Sequence, residues 1–294
     1  MANLKQIKSK IKSVSNLKKI TRALEVVSTV KLQKTKSQAE NLKEYLTDLL
    51  ALVASVWGVD NLLTPPVTTS TKKLIIVCSS ERGLCGALNT RLFRKVLQDI
   101  GSSKDDTELF VLGKKALEFF KRVKTPIIGA LHLSDTYQEK DLLPLYTLLD
   151  EAMSSGTYSE VRLYFNYFKN VINQLPASLQ LMPLSASTFA SFCADVALDY
   201  GVVLGANNKE LIIEPSRDVY LHELKRQVRN YILASAILQN KTGEHAARMI
   251  AMKNAKDNSI AFIKQLTLAY NKARQWAITQ EISEIVSAKI AIEG

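Results

Sequence analysis

The two ends of this chain carry apolar residues at intervals of three and four over long stretches that lack helix breakers. Residues 1–57 contain no glycine and no proline. The last 79 residues contain no proline, and their only glycines are Gly243 and Gly294. Inside a helix, proline costs about 3 kcal/mol and glycine about 1 kcal/mol. The pattern therefore predicts two long helices, near residues 3–57 and 217–288, on either side of a middle that holds all seven prolines.

The apolar spacing within each predicted helix is typical of a coiled coil, and we expect the two helices to pair antiparallel into one shaft. The predicted inward residues of the first helix are Leu4, Ile7, Ile11, Val14, Leu17, Ile20, Leu24, Val27, Leu42, Leu46, Leu49, Val53 and Val56. The three-residue step from Val14 to Leu17 predicts a stammer, which overwinds a supercoil locally. The predicted stripe of the second helix comprises Leu221, Leu224, Val228, Ile232, Ala246, Met249, Ile250, Ile260, Ile263, Leu266, Ala269, Ala273, Ala277, Ile278, Ile282 and Ile285.

The middle of the chain alternates short apolar runs with helical patterns, which predicts a mainly parallel, Rossmann-like α/β domain. The predicted strands are residues 73–79, 109–112, 126–131, 161–168, 179–184 and 211–213. The predicted helices are residues 88–100, 114–122, 141–154 and 188–198, with a linker at 65–71 and a turn at 201–208. The fold class is thus α/β, with three parts: a first shaft helix (1–58), an α/β domain (72–210) and a second shaft helix (216–294).

Positive charge is concentrated in the two helices. Residues 1–57 carry a net charge of +7 and residues 216–294 carry +5, whereas the middle carries −1. Helices this basic are expected to face nucleic acid, anionic lipid or an acidic protein surface. A basic coiled-coil protein that binds nucleic acid is one interpretation, although the first helix offers only Tyr45 and Trp57 for stacking on bases.

The sequence offers little catalytic chemistry. Residues 81–86 follow the first predicted strand and resemble a phosphate-binding loop at a helix N-terminus. The chain has neither G-x-G-x-x-G nor G-x-x-x-x-G-K-[ST], however, and Cys85 beside Arg82 has no histidine near it in sequence. An α/β enzyme with helical arms is therefore the weaker alternative, and we predict no catalytic residue and no cofactor.

Metal binding and membrane insertion are not indicated either. The histidines and cysteines do not have the spacing of metal sites: His132, His222, His245, Cys78, Cys85 and Cys193. No run of 18 apolar residues suggests a transmembrane helix. A start at Met1 without a signal or transit segment favours a cytoplasmic, bacterial protein.

Four segments resemble signatures of the gamma subunits of F-type ATP synthases, in the right order along the whole chain. The first lies in the N-terminal helix, at residues 2–5, 11–14, 19–23 and 31–32. The second is Ser-Glu-Arg-Gly-Leu-Cys-Gly-Ala-Leu-Asn at residues 80–89. The third is residues 244–249 with 252–255, and the fourth is residues 270–275 with 277–286.

The resemblance implies that the two terminal helices form an antiparallel rotor shaft inside a ring of three alpha and three beta subunits. The α/β domain would lie above a membrane ring of c subunits and beside the epsilon subunit. Ion flow would turn the ring and shaft, while nucleotides bind to the partners. The chain would then be a peripheral, non-catalytic subunit at the cytoplasmic face of a bacterial inner membrane, without nucleic acid as a partner.

The resemblance also assigns contact residues. Contacts with beta subunits are implied at Leu24, Arg248, Arg274, Gln275, Thr279 and Glu281. Leu24 would meet an acidic beta loop, and Glu214 would belong to the foot that touches the c-ring and epsilon. Trp276 and the charged residues within 287–294 depart from the small, apolar ending expected in this family.

Overall fold

Long helices form both ends of the protein, as the lack of breakers predicts. The computed structural model describes residues 2–57, 70–101, 106–135, 137–183, 214 and 216–293. Helix α1 spans Ala2–Trp57 and helix α5 spans Arg217–Glu293, so the second helix continues past the predicted limit at residue 288. The predicted helix at 188–198, turn at 201–208, strand at 211–213 and most of the linker lie outside the described residues, as does Cys193.

The middle contains strands and helices close to the predicted ones. The elements are β1 (Lys73–Cys78), α2 (Leu88–Ile100), β2 (Thr107–Leu112), α3 (Lys114–Val123), β3 (Ile127–Leu131), a 3-10 helix (Glu139–Leu142), α4 (Leu143–Ser155), β4 (Glu160–Phe168) and β5 (Gln174–Met182). Two predictions need correction. The helix expected from residue 141 begins as a 3-10 turn, and the strand expected at 179–184 already begins at Gln174.

The five strands form one mixed sheet in the order β3-β2-β1-β4-β5. The pairs β1–β2, β1–β4 and β2–β3 are parallel, whereas β5 pairs antiparallel with β4. Parallel neighbours need a crossover connection, and α2 and α3 supply the crossovers from β1 to β2 and from β2 to β3. The predicted mainly parallel sheet is confirmed, with one antiparallel edge strand.

Both faces of the sheet are covered, which explains why β1 is an unbroken apolar run rather than an alternating one. Leu74, Ile76 and Cys78 pack on one face with residues of α4 and α5. Ile75 and Val77 point to the other face and pack with α2 and α3. Burial raises the pKa of the Cys78 thiol to about 12, so this cysteine is protonated at neutral pH.

The chain divides into two compact units. The first, here called the helical unit, comprises Met1–Thr29 and Arg248–Gly294. The second, here called the sheet unit, comprises Val30–Ala247 and includes the sheet together with the adjoining parts of α1 and α5. The sequence-based division at residues 58, 72, 210 and 216 stays a prediction, since residues 58 and 210 are outside the described part.

Within the sheet unit, a close approach and an amide pair seat α5 against β4 and β5. A Cβ atom added at Gly243 would lie 3.5 Å from Gln174 Cγ and 3.6 Å from the carbonyl oxygen of Asn166. The Asn240 side-chain oxygen accepts hydrogen bonds from the backbone N–H and the side-chain amide of Asn166, at 3.1 and 2.9 Å. These directed bonds fix where α5 lies along the sheet.

Candidate functional site

The covered side of α1 does not follow the apolar stripe predicted between residues 17 and 27. Leu17, Ile20 and Val27 are 50%, 57% and 49% exposed. An unbroken series at intervals of three and four is buried or half-buried instead: Leu4, Ile7, Ile11, Val14, Lys18, Thr21, Glu25 and Ser28. The predicted stammer is therefore wrong, because one heptad phase continues through a polar stretch and needs no local overwinding.

The partner helix keeps a heptad phase in the same way. In the helical unit the covered residues of α5 include Met252, Lys256, Ser259, Ile263, Leu266, Tyr270, Ala273 and Ala277. Ile260, Ala269 and Ile278, which were predicted to face inward, are exposed. Polar Lys256 and Ser259 thus take inward positions, while the neighbouring Ile260 remains on the outside.

Several inward polar groups of the helical unit are paired by hydrogen bonds or by an ion pair. Lys256 Nζ lies 2.8 and 3.1 Å from the two carboxylate oxygens of Glu25. The hydroxyl groups of Ser28 and Ser259 each donate to the carbonyl four residues earlier in their own helix, both at 2.7 Å. Buried polar groups are tolerated when they are paired in this way. We call Thr21, Glu25, Ser28, Lys256 and Ser259 the polar layer.

The two helix segments of the helical unit run antiparallel, as predicted. Glu25 lies opposite Lys256. The covered series reaches Leu4 on one helix and Ala277 on the other, and both of these residues are 21 positions from the ion pair. Increasing residue number along α1 therefore matches decreasing residue number along α5.

The end of α5 extends past its partner as a bare helix. From Ile278 to Ile292 every residue is exposed, including Ile282, Ile285, Val286 and Ile290. Ile292 reaches 85% exposure, and Trp276 just before this segment reaches 68%. Exposed apolar surface of this extent on a protein marks an interaction site.

The structure places the predicted contact residues at separate positions and not in one cluster. Four of them, all exposed, lie between Ala273 and Ile282 on α5: Arg274, Gln275, Thr279 and Glu281. Thr279 donates to the Gln275 carbonyl at 3.0 Å. Arg248 is only 9% exposed and lies 26 residues before Arg274, or about 39 Å along a helix at a rise of 1.5 Å per residue.

The other two predicted contact residues differ in setting. Leu24 is half-buried beside the polar layer, next to exposed Arg22 and Ala23. Glu214 is exposed, and residues 211–213 before it lie outside the described range. Sequence reasoning missed Leu17, Ile20 and Val27 as surface residues, because their apolar character favoured an inward assignment.

The segment that resembled a phosphate loop is held by side chains of the sheet unit itself. Glu81 accepts hydrogen bonds from the backbone N–H groups of Leu133 and Lys114, at 2.8 and 3.2 Å. Lys114 is the first residue of α3, so the carboxylate sits where a helix N-terminus would otherwise attract an anion. Asn89 donates to Ser80 Oγ at 2.6 Å and to Cys85 Sγ at 3.4 Å, which ties the start of α2 to the end of β1.

Three further features concern metal ions, membranes and cavities. Among the described residues, no group of three or more His, Cys, Asp or Glu side chains could hold a metal ion. Within the same residues, no helix has the length and hydropathy needed to cross a membrane. A cavity of about 390 Å³ in the sheet unit is lined by residues of α1, α5 and the segment after β3, among them Lys34, Asp135, Tyr137 and Tyr231.

Comparisons with known proteins match this chain over nearly its whole length. The family model described as ATP synthase matches residues 3–292. An ATP synthase gamma chain of Xanthomonas axonopodis pv. citri is 35% identical over 300 residues, covering 99% of this chain and 100% of that one. The gamma chain of Xylella fastidiosa strain M23 gives the same identity and coverage.

The chain belongs to the ATP synthase gamma chain family. The membership predicted from the four sequence motifs is thereby confirmed, and it makes the chain a gamma-type subunit of an ATP synthase.

Solved structures that resemble this gamma-type chain confirm the fold. A chain of the Euglena gracilis mitochondrial ATP synthase, described as OSCP/F1/c-ring in rotational state 3, gives a TM-score of 0.70 at 18% identity. The alignment covers 99% of this chain and 95% of the other. A rotor chain of the same complex in rotational state 1 gives a TM-score of 0.66 at 16% identity, covering 94% and 99%. Long terminal helices with a central mixed sheet are thus the fold of this family.

Proposed function

We propose that this gamma-type chain is the central-stalk rotor of its complex, which couples ion-driven rotation of a membrane ring to ATP synthesis or hydrolysis. The catalytic head would contain three alpha and three beta subunits, with epsilon and the c-ring at the foot. The observation that carries the proposal is the bare apolar end of α5 in a chain related to gamma chains.

The free energy that would be gained by burying the exposed apolar residues favours a surrounding sleeve of partner subunits. Removing apolar surface from water contributes about 25 cal/mol per Å², or roughly 1.5–3 kcal/mol for a fully buried isoleucine or leucine. The segment after Ala277 exposes Ile278, Ile282, Ile285, Ile290 and Ile292, and α1 adds Leu17 and Ile20. Apolar contact between a sleeve and these side chains is non-directional and allows rotation.

Polar side chains near the end of α5 would supply contacts that depend on rotor orientation. We assign Arg274, Gln275, Thr279 and Glu281 to beta-subunit loops, because all four are exposed and lie within about two turns of helix. Arg274 can form planar, bidentate bonds to a carboxylate. Charge-assisted bonds contribute about 1.5–3 kcal/mol, and 1.4 kcal/mol is tenfold in affinity.

Two further contacts with beta subunits would lie farther from this end. Arg248 belongs to a separate tier of the shaft and is largely buried, so a contact there requires its guanidinium to turn outward. Leu24 is flanked by the exposed cations Arg22 and Lys19, which suit an acidic beta loop. Glu214 would contribute to the foot, against epsilon and the c-ring.

The rotor itself would be non-catalytic. Its effect on nucleotide affinity would come from binding some orientations of the head better than others, since a ligand shifts an equilibrium only by its differential affinity. Nucleotides would bind to the partners, and no cofactor is assigned to this chain. As a subunit of a membrane-bound ATP synthase, it would sit peripherally at the cytoplasmic face of the bacterial inner membrane.

Reconstitution tests the proposal. The purified chain is mixed with alpha and beta subunits, and the stoichiometry and ATP hydrolysis of the product are measured. We expect one copy per three alpha–beta pairs, faster steady-state hydrolysis than without the chain, and no ATP hydrolysis by the chain alone. A parallel homodimer, or preferential binding to nucleic acid over the alpha–beta head, would contradict the proposal.

A further inference from the structure

The loop that follows β3 is attached to three different parts of the sheet unit. Residues 132–135 leave the carboxyl end of β3, and Leu133 is buried there. The Leu133 N–H donates to Glu81, which follows β1, and His132 Nδ1 lies 3.2 Å from the same carboxylate. The loop is therefore fixed to the sheet independently of its contacts with the two long helices.

Helix α5 reaches this loop with a buried lysine. Lys241 is 6% exposed and donates to the carbonyl oxygens of Leu133, at 3.2 Å, and of Ser134. Its ammonium also lies 4.4 Å from the centre of the Tyr137 ring. Burial lowers the pKa of Lys241, although the carboxylates of Asp135, Glu244 and Glu81 and the Cys78 thiol oppose this shift.

Helix α1 reaches the same loop through an ion pair. Lys31 Nζ lies 2.5 Å from Asp135 Oδ2, while His245 of α5 lies 3.6 Å from Asp135 Oδ1. Burial alone would raise the pKa of Asp135, but the hydrogen bond from Lys31 and the charges of His245, Lys31 and Lys241 outweigh it, so the pKa is lowered. One carboxylate thus receives groups from both long helices.

We propose that Asp135, Lys241 and Lys31 form a torque joint, which fixes the angular position of the sheet relative to α1 and α5 when the rotor works under load. This inference rests on the proposed rotor function and adds to it the residues that carry force inside the chain. They act as positioning residues, since they join elements of the sheet unit to one another.

Directed bonds are needed here because apolar packing does not resist rotation well. Much of α5 packs on the sheet through apolar residues such as Leu224, Val228 and Ile232. Apolar burial depends on area and is non-directional, whereas hydrogen bonds and ion pairs require a defined distance and angle. Partly buried charges are a poor source of stability, since desolvation opposes their attraction. A mechanical role explains why such groups are placed between the three elements.

The joint carries load only in the complete, membrane-bound complex. Lys31→Met, Asp135→Asn and Lys241→Met are therefore compared in vesicles that contain the whole ATP synthase, by measuring ions pumped per ATP hydrolysed. ATP hydrolysis by the head detached from the membrane is measured in parallel. Lys256→Met is the matched control, because it removes a half-buried ion pair between the same two helices without touching the sheet.

We expect each joint variant to lower the pumping ratio about tenfold, the scale on which loss of one charge-assisted bond changes an equilibrium. Hydrolysis by the detached head should stay within about twofold of the unsubstituted chain, and Lys256→Met should leave the pumping ratio unchanged. Lys241→Arg should restore the ratio that Lys241→Met loses.

Other outcomes overturn the inference. An unchanged ratio in Lys31→Met, whose amine lies at the surface and whose loss should leave the fold intact, would exclude a torque joint. Equal loss of detached hydrolysis and pumping would mean that the three residues only stabilise the chain. Failure of the unsubstituted chain to stimulate hydrolysis or pumping would instead reject the rotor function itself.

Discussion

Glu25 of α1 and Lys256 of α5 form an ion pair inside the helical unit, although 231 positions separate them in the chain. Their side chains are 20% and 23% exposed, so the pair is neither fully exposed to solvent nor fully buried. A one-residue slip of either helix would separate the two charges and leave each half-buried without a partner. The pair therefore specifies the register of the two helices more than it stabilises them.

Removing one charge of this pair should destabilise the helical unit. Exposed pairs contribute about 0–1 kcal/mol and breaking a buried pair costs about 3–5 kcal/mol, so we expect about 1–2 kcal/mol for Glu25→Gln or Lys256→Met. The double variant should recover about 1 kcal/mol of the summed loss. Chemical denaturation of the unsubstituted chain, the two single variants and the double variant, monitored by circular dichroism, provides the double-mutant cycle. Strictly additive losses would show that the pair does not act as a unit.

Isoleucines at the bare end of α5 should matter for assembly and not for folding. Ile282→Ser with Ile285→Ser should change the free energy of unfolding of the isolated chain by less than about 0.5 kcal/mol, as for other exposed sites. Binding to the alpha–beta head, measured by calorimetry, should weaken at least about tenfold.

Leu149→Ala in the sheet core provides the opposite case. Leu149 is fully buried, so its truncation should destabilise the chain by about 2–5 kcal/mol while leaving head affinity unchanged under folding conditions. Equal effects of the two kinds of substitution on head affinity would contradict a sleeve around the end of α5.

Polar contacts at the same end should affect turnover. Arg274→Ala with Gln275→Ala should lower ATP turnover of the reconstituted complex about tenfold, through loss of orientation-dependent bonds. Both side chains are exposed, so the isolated chain should unfold at an unchanged temperature. Arg248→Ala is a less clean test because this residue is largely buried and its loss removes packing as well.

Acid stability should depend on Asp135. Its pKa is lowered in the folded chain, mainly because the Lys31 hydrogen bond and three positive groups outweigh burial. The stabilisation is therefore present above the unfolded-state pKa, about 3.9, and disappears as the pH falls through the lower folded-state pKa. Asp135→Asn should lower the melting temperature at pH 7 and have less effect near pH 3. A constant difference across this range would contradict the assignment.

Gly113 should not tolerate a side chain. Its φ is 93°, and an added Cβ would lie 2.5 Å from the Ser79 carbonyl oxygen. Positive φ and a hard backbone contact together should make Gly113→Ala destabilising by about 3 kcal/mol or more. Gly83→Ala is the control, since a Cβ there meets nothing within 4 Å. Thermal unfolding of the two variants compares them, and similar melting temperatures would refute the prediction.

Helix ends were predictable because breakers act locally. Helix α2 matches its predicted limits of 88 and 100 and is followed directly by Gly101. The start of β5 was not predictable in this way. Pro176 lies inside this edge strand, where it costs no ladder bond to a further strand. A proline there makes the segment look like a strand break when only the sequence is known.

The direction in which each helix faces required information from the partner helix. Apolar Leu17 and Ile20 favoured an inward assignment, yet Lys18 and Thr21 occupy those places. Local hydrophobicity predicts which side of a single turn is buried. Which side of the whole helix faces its partner is decided by continuity with the other contacts between the two helices. The three- and four-residue spacing of the covered positions from Leu4 to Ser28 was already present in the sequence. It includes polar residues, however, which hydrophobicity alone would place at the surface.

The carboxylate of Glu81 affects which ligands this end of the sheet can accept. In open α/β sheets, phosphates and nucleotides approach the carboxyl ends of the strands, and here they would meet a negative charge that already binds the Lys114 and Leu133 N–H groups. Glu81 therefore holds the start of α3 and the loop after β3 at this edge of the sheet. A phosphate group that approached this edge would be repelled by Glu81, so this end of the sheet holds its own loop and helix where an anion would otherwise bind.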